Sequence, residues 1–347
     1  MPHATRADHA ACRAAIRTGS RTFYAASMLL PPSVRRPAYG LYAFCRLSDD
    51  AVDEGDGDRG RAVARLTDRL ERVYAGRPAN HPADRALADL VAWYAIPEEL
   101  PRALLEGLAW DAQGRRYATI SDLAAYAARV AGTVGAMMTV IMGVRNPDAL
   151  ARACDLAVAM QFTNIARDVG EDARAGRLYL PIDWLAEAGI DPEAFLRDPR
   201  SSLALATVVA RLLAAADLLY VRAKAGIEAL PAGCRPAIRA AGLIYAEIGR
   251  EIEDGSVDPV IARARVSGSR KVVLLARAAW PARAVAGLDA LPLPEVTFLI
   301  DAVAQLGFPA AVRTLPRWWD VSGRIVRVLD LIEQLREREA FERSAAS

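Results

Sequence analysis

The sequence predicts an all-α fold, a single-domain helical bundle around a central cavity. Three observations predict it. Apolar residues recur with a period near 3.6 in one segment after another. Ala, Leu, Arg and Glu dominate, and strand-like alternation is scarce. Breakers fall between the periodic segments: "LLPPS" at 29–33, "GDGD" at 55–58, "RNPD" at 145–148, "ALPAG" at 229–233 and "LPLPE" at 291–295.

These signals place helices over roughly 5–18, 33–54, 59–76, 82–95, 98–113, 121–144, 148–171, 202–229, 234–254, 268–285 and 308–340. No fixed-period repeat and no low-complexity linker divides them, so one domain over 1–347 is the economical expectation, with 285–347 its least defined part. The stretch "EVTFLIDAVAQLGF" at 295–308 is expected in the core. The chain has 347 residues and is 53% hydrophobic, enough to bury a large core. Lys and Arg total 44 against 42 Asp and Glu, so no charge excess points to nucleic acid. Cys12, Cys45, Cys154 and Cys234 form no CxxC pair and fit reduced core thiols of a cytosolic protein. His3, His9 and His81 lack metal-ligand spacing. "MPHATRADHAACR" has no apolar centre, so no secretion signal is expected. Apolar runs are expected to break before membrane-spanning length.

Chemistry enters at "YAFCRLSDDAVDEGD", residues 42–56. On a helix, Tyr42, Arg46, Asp49 and Asp53 share one face, while Leu41, Phe44, Cys45, Leu47 and Val52 cover much of the rest. Asp50 and Glu54 point off that stripe. The stretch "AVAMQFTNIARDVGEDARAGRLYLP" repeats the geometry, with Gln161, Asn164, Asp168 and Asp172 at i, i+3, i+7 and i+11. One polar stripe is an ordinary solvated face. Two, each ending in D-x-x-x-D within an apolar helix, fit a lined cavity better. Converging carboxylates demand cations, and hard oxygen ligands suit Mg²⁺. Arg46, Arg167, Arg174 and Arg177 lie beside the stripes and suit phosphate oxygens. The inferred ligand is an apolar diphosphate held through Mg²⁺. Phe23, Tyr24, Tyr42, Tyr126 and Tyr245 are candidates to stabilise an allylic cation. For most of them core packing is the commoner role, and Tyr42 is the exception because it shares the acidic stripe.

The ordered blocks "GSRTFYAASMLLP" (19–31), "LYAFCRLSDDAVDEGD" (41–56), "YAARVAGTVGAMM" (126–138), "QFTNIARDVGEDARAGRLYLP" (161–181), "RAKAGIEALP" (222–231) and "IYAEIGREIE" (244–253) resemble the squalene/phytoene synthase family. The resemblance runs from about 12 to 275 and is closest to the bacterial, phytoene-forming branch. It implies an isoprenoid (terpenoid) synthase-like bundle. It also implies a metal site of Asp49, Asp53, Asn164, Asp168 and Asp172 for Mg²⁺, with Mn²⁺ as a substitute. Arg46, Arg167 and Arg265, with Lys271, fit its diphosphate contacts. Tyr42, Tyr126, Tyr179 and Tyr245 fit its cavity tyrosines, and Ser20, Thr22 and Phe23 its substrate flap. Thr22 stands where a serine is usual, which keeps the hydroxyl. Gly132 and Gly135 in "VAGTVG" fit a helix break at the cavity floor or plain helix packing. Ala128 and Ala136 are small residues on the same stretch.

The implied reaction is head-to-head condensation of two geranylgeranyl diphosphates through prephytoene diphosphate to 15-cis-phytoene, the first committed step of carotenoid biosynthesis. No nicotinamide is expected. The alternative within the family makes a C30 product from farnesyl diphosphate. Head-to-tail elongation usually carries a second D-D-x-x-D, whereas this chain has N-x-x-x-D-x-x-x-D. A non-catalytic relative is expected to lose the aspartates, and all four stand here. Such apolar substrates imply peripheral attachment to the inner face of the cell membrane, with phytoene desaturase as a downstream partner.

Overall fold

Thr5 opens the first helix through a capping box: its side chain accepts from the Asp8 amide, and the Asp8 carboxylate accepts from the Thr5 amide. The computed structural model describes residues 2–53, 59–280 and 286–305, without the side chain of Asp53. Helix α1 spans Arg6–Gly19 and α2 spans Arg21–Ser27, the latter capped by Ser20. Then follow α3 (Pro32–Asp53), α4 (Arg59–Tyr74), α5 (Pro82–Tyr94) and α6 (Glu99–Ala112). Helix α7 (Ile120–Ala127) passes through a π-helical segment, Ala128–Gly132, into α8 (Thr133–Ile141). The longest helix is α9 (Pro147–Arg174), followed by the short α10 (Ile182–Glu187) and α11 (Pro192–Arg197). Helices α12 (Leu203–Ala229), α13 (Arg235–Glu253), α14 (Gly268–Ala279) and α15 (Thr297–Ala304) complete the described chain.

No strand occurs among the described residues, which bears out the all-α expectation. Each expected helix that falls on the described residues is present. Helices α2, α10 and α11 were not expected: each has six or seven residues, too few to show a period. The expected 121–144 helix is interrupted by the π segment, where the wider turn leaves the apolar composition unchanged. In 295–308, Val296, Leu299, Ile300, Ala302 and Val303 are buried, as a core helix requires. The chain divides into Met1–Pro309 and Ala310–Ser347. The second unit, with the expected 308–340 helix, lies outside the described residues, as do Glu54 and the "GDGD" turn.

Helix α9 forms the centre, with α12, α13, α8 and the π segment packed on it. Its small buried residues, Ala151, Ala159 and Ala166, allow close approach. Two stretches do reach membrane-span length and apolarity, which corrects the expectation that none would. They are Ile120–Ile141 and α12, with mean hydropathy 1.3 and 1.8. Helix α12 buries Leu205, Val209, Leu212 and Leu219 in the bundle, while its exposed face carries Arg211, Asp217 and Lys224 beside Leu203, Leu218 and Val221. Cys12, Cys154 and Cys234 are buried free thiols, as expected.

Candidate active site

A cavity of about 330 Å³ lies among α2, α3, α8, α9, α12 and α13. Phe23, Leu41, Val134, Met138, Met160 and Ile227 represent its carbon-lined wall. Tyr42, Gln161 and Asn164 supply polar groups from α3 and α9. Arg152 also lines it, but its guanidinium is committed to Asp155 at 2.8 Å and to the Ala290 carbonyl at 2.8 Å. Gly135 reaches the lining, whereas Ala128, Gly132 and Ala136 do not. A β-carbon on Gly132 would meet Leu299 at 3.2 Å, so helix packing accounts for this glycine. The small-residue space expected at the floor is therefore supplied by Ala131 and Gly135 alone from this stretch, beside Val130, Val134 and Met138.

Both acidic stripes continue from cavity-lining residues. Asp49 lies two turns beyond Tyr42 on α3, and Asp168 one turn beyond Asn164 on α9. Asp49 is 50% exposed and lies 3.8 Å from Arg46, which pairs more closely, at 2.6 Å, with the off-stripe Asp50. Asp168 is 16% exposed and takes two guanidinium forks: Arg167 at 2.7 and 2.6 Å, Arg263 at 2.7 and 2.8 Å. Burial, followed by the charge of Asp168, pushes the Asp172 carboxyl up to about 7, while Arg177 opposes the shift. The Asn164 Oδ1 is buried without a donor, and its Nδ2 lies 3.4 Å from Gln161 Oε1.

A buried acceptor on the acidic stripe fits a hard cation. Among the described residues, however, no three Asp, Glu, His or Cys side chains gather as a ready-made cluster. Arginines hold Asp168, and the Asp53 side chain lies outside the described residues.

The expected aromatic residues divide into two groups. Phe23 stacks on Tyr245 at 5.3 Å and meets Tyr42 edge-on at 6.5 Å, beside the lining. Burial pushes the Tyr42 phenol up to about 12 and raises that of Tyr245, so both stay neutral. Tyr126 and Tyr179 are absent from this lining. They pack with Tyr117, and both hydroxyls donate to Asp111 at 2.8 Å. Tyr24 stacks on Tyr39 and accepts from Arg13, also away from the lining. Ser20 is used as the α2 cap, which aims Phe23 at the cavity, and Thr22 is half-buried on the same turn.

The described site includes residues that sequence spacing did not single out. Asp111, near the end of α6, has no acidic partner at helical spacing. Arg263, rather than Arg265, reaches Asp168, although both are exposed. Their alternation in "ARARV" gives no sign of which faces inward, because that loop has no helical period. Gly170 makes the arrangement possible. Its amide donates to the Pro259 carbonyl at 3.2 Å, and a β-carbon there would stand 2.2 Å from the Val260 carbonyl oxygen. Lys271 is half-buried on α14.

An all-α bundle enclosing an apolar cavity, with two acidic helices running from its polar end, defines an isoprenoid-synthase-like fold. The chain belongs to the squalene/phytoene synthase family, whose model matches residues 16–272. It is 56% identical over 307 residues to the phytoene synthase of Rhodobacter capsulatus, covering 86% of this chain and 91% of that one. It is 54% identical over 314 residues to the phytoene synthase of Cereibacter sphaeroides, covering 86% and 88%. A crystal structure of a dehydrosqualene synthase in complex with ligand superposes with a TM-score of 0.72 at 30% identity, over 79% of this chain and 95% of that one. The family resemblance expected over about 12–275 is borne out.

Proposed function

We propose that this chain condenses two geranylgeranyl diphosphates head to head, through prephytoene diphosphate, to 15-cis-phytoene with release of diphosphate. This is the first committed step of carotenoid biosynthesis. The observation that carries the proposal is the apolar cavity bounded by Tyr42, Gln161 and Asn164, from which both acidic stripes continue. The names of the relatives at 56% and 54% identity favour the C40 product over the C30 alternative.

Asp49, Asp53, Asn164, Asp168 and Asp172 would hold Mg²⁺, or Mn²⁺ in its place. When bound, the metal supplies Lewis-acid stabilisation of a departing diphosphate. Arg46, Arg167 and Arg263 present guanidinium forks at the same end and would exchange their carboxylate partners for phosphate oxygens. The faces of Phe23, Tyr42 and Tyr245 stabilise positive charge on the allylic fragment without offering an ionised oxygen. The carbon-lined wall keeps water from the cation. The rearranged cation loses a proton to give the central double bond, so the reaction needs no reductant. Released diphosphate can accept that proton.

Incubation with geranylgeranyl diphosphate and Mg²⁺ alone should give phytoene, identified by near-ultraviolet absorbance and mass. Consumption of farnesyl diphosphate only, or product only with added NADPH, would replace this reading by the C30 one. A product this apolar also calls for peripheral attachment at the cytoplasmic face of the membrane, where a phytoene desaturase would receive it.

A further inference from the structure

Asp111 joins three separate stretches of chain. It stands near the end of α6, Tyr126 stands near the end of α7, and Tyr179 lies in the connection from α9 to α10. The two carboxylate oxygens take one phenol each, Tyr179 on Oδ1 and Tyr126 on Oδ2, both at 2.8 Å. The Tyr126 and Tyr179 rings lie 5.3 Å apart at 25°, and Tyr117 adds rings at 5.1 and 6.2 Å. Tyr126 is 3% exposed and Tyr179 9%. The anchor of this cluster is a carboxylate rather than a neutral group. Asp111 is a half-buried carboxylate, so it gives up part of its hydration. This one also stands near enough to Asp172 for the two charges to oppose each other. A neutral acceptor would staple the helices without adding negative charge beside the acidic stripe.

A carboxylate does two things here that an amide cannot. It accepts from both phenols at once, because an amide has only one acceptor oxygen. It also forms charge-assisted bonds, which are shorter and stronger than neutral ones. Two ring orientations are thereby fixed by one group, behind the residue that ends the second acidic stripe. We propose that Asp111 is a positioning residue for the condensation. It fixes the hydroxyls of Tyr126 and Tyr179, and through them the aromatic wall behind Asp172. The inference rests on the proposed prenyl diphosphate chemistry. Asp111 need not touch substrate to fulfil this role.

The test uses the full chain and four proteins: wild type, Asp111→Asn, Tyr126→Phe with Tyr179→Phe, and the triple variant. Asp111→Asn keeps volume and one acceptor oxygen, whereas Asp111→Ala would open a void. A positioning role predicts that Asp111→Asn lowers kcat by about 10-fold or more. KM for geranylgeranyl diphosphate should stay within about 3-fold, because no substrate contact is removed. Acting through the tyrosines predicts that the triple variant is no worse than about 2-fold below the double, since coupled residues are not additive. A fifth protein, Asp111→Glu, which has two acceptors and the charge, should retain part of the kcat that Asp111→Asn loses. An Asp111→Asn protein with wild-type kcat overturns the inference. So does a triple variant whose losses multiply, or a variant whose only defect is a lower melting temperature. Failure of the substrate assignment is a separate result. If wild type consumes only farnesyl diphosphate, the same four-way comparison is made with that substrate and decides Asp111 on its own.

Discussion

Asp172 carries its negative charge at a cost. Burial is the largest cause, the charges of Asp168, Glu171 and Asp111 add to it, and Arg177 offsets part of it. A carboxyl raised from 3.8 to about 7 binds its proton more tightly in the folded state than in the unfolded one. Its contribution to stability is therefore fully present below about pH 4 and is lost as pH rises through about 7. Asp172→Asn removes that penalty. The metal-free variant should melt about 2–4 °C above the parent at pH 8, and the difference should close as pH falls toward 4. Turnover with Mg²⁺ should fall by about 10²-fold or more at the same time. A stabilised but inactive protein separates a functional carboxylate from a structural one; near-normal turnover would remove Asp172 from the site. At this scale the sequence was informative where helical spacing applied. Tyr42, Asn164, Asp168 and Asp172 recur at intervals that name a face. Asp111 and Arg263 were silent because their partners lie on other segments, and no local period encodes such contacts.

The segment after α13 crosses α9 at one point, and Gly170 is what permits the crossing. A methyl group there would meet backbone, not a side-chain tip that can rotate away. The segment must then lift, and Arg263 leaves Asp168. Gly170→Ala should cost about 1–3 kcal/mol of stability, as overpacking does, and should raise KM for the prenyl diphosphate severalfold. Gly268→Ala is the control, since its added β-carbon meets nothing within 4 Å. Equal melting temperatures and KM for the two variants would show that the crossing has no bearing on the site. Helices were the most legible elements, because Thr5, Thr119, Asn146 and Ser202 cap helices whose apolar faces repeat over several turns. The π segment was not legible. "ARVAG" keeps the composition of its flanks, and the interruption shows in backbone bonding, where the Thr133 amide donates to the Ala128 carbonyl five residues back. Gly170 could have been suspected as a glycine between two motif aspartates, but nothing in sequence said what crosses it.

Across the described molecule, the cavity and an exposed apolar surface lie on opposite sides of a thin wall. Ala278 of α14 packs into a cluster with Ala26 and Ala241, which line the cavity. The outer side of α14 shows Val272, Val273 and, just past its end, Trp280, exposed by 65%, 54% and 77%. Lys271 and Arg277 flank them, whereas Arg270 is held by Glu247. An amphipathic helix with basic flanks and a terminal Trp suits the headgroup region of an anionic bilayer. Each basic residue near such a surface adds about 1 kcal/mol, and two exposed valines add an apolar anchor of similar size. A C40 hydrocarbon has negligible solubility in water, so attachment at this wall would shorten its path out of the protein. Flotation with vesicles containing phosphatidylserine should carry the wild type upward. Val272→Glu with Val273→Glu should reduce the floated fraction by about 10-fold while leaving turnover in detergent within 2-fold, because neither valine lines the cavity. Raising salt should weaken binding of the wild type but not abolish it, since the apolar part is unscreened. Wild-type protein that stays in the soluble fraction with anionic vesicles, with or without substrate, would show that α14 does not dock to lipid.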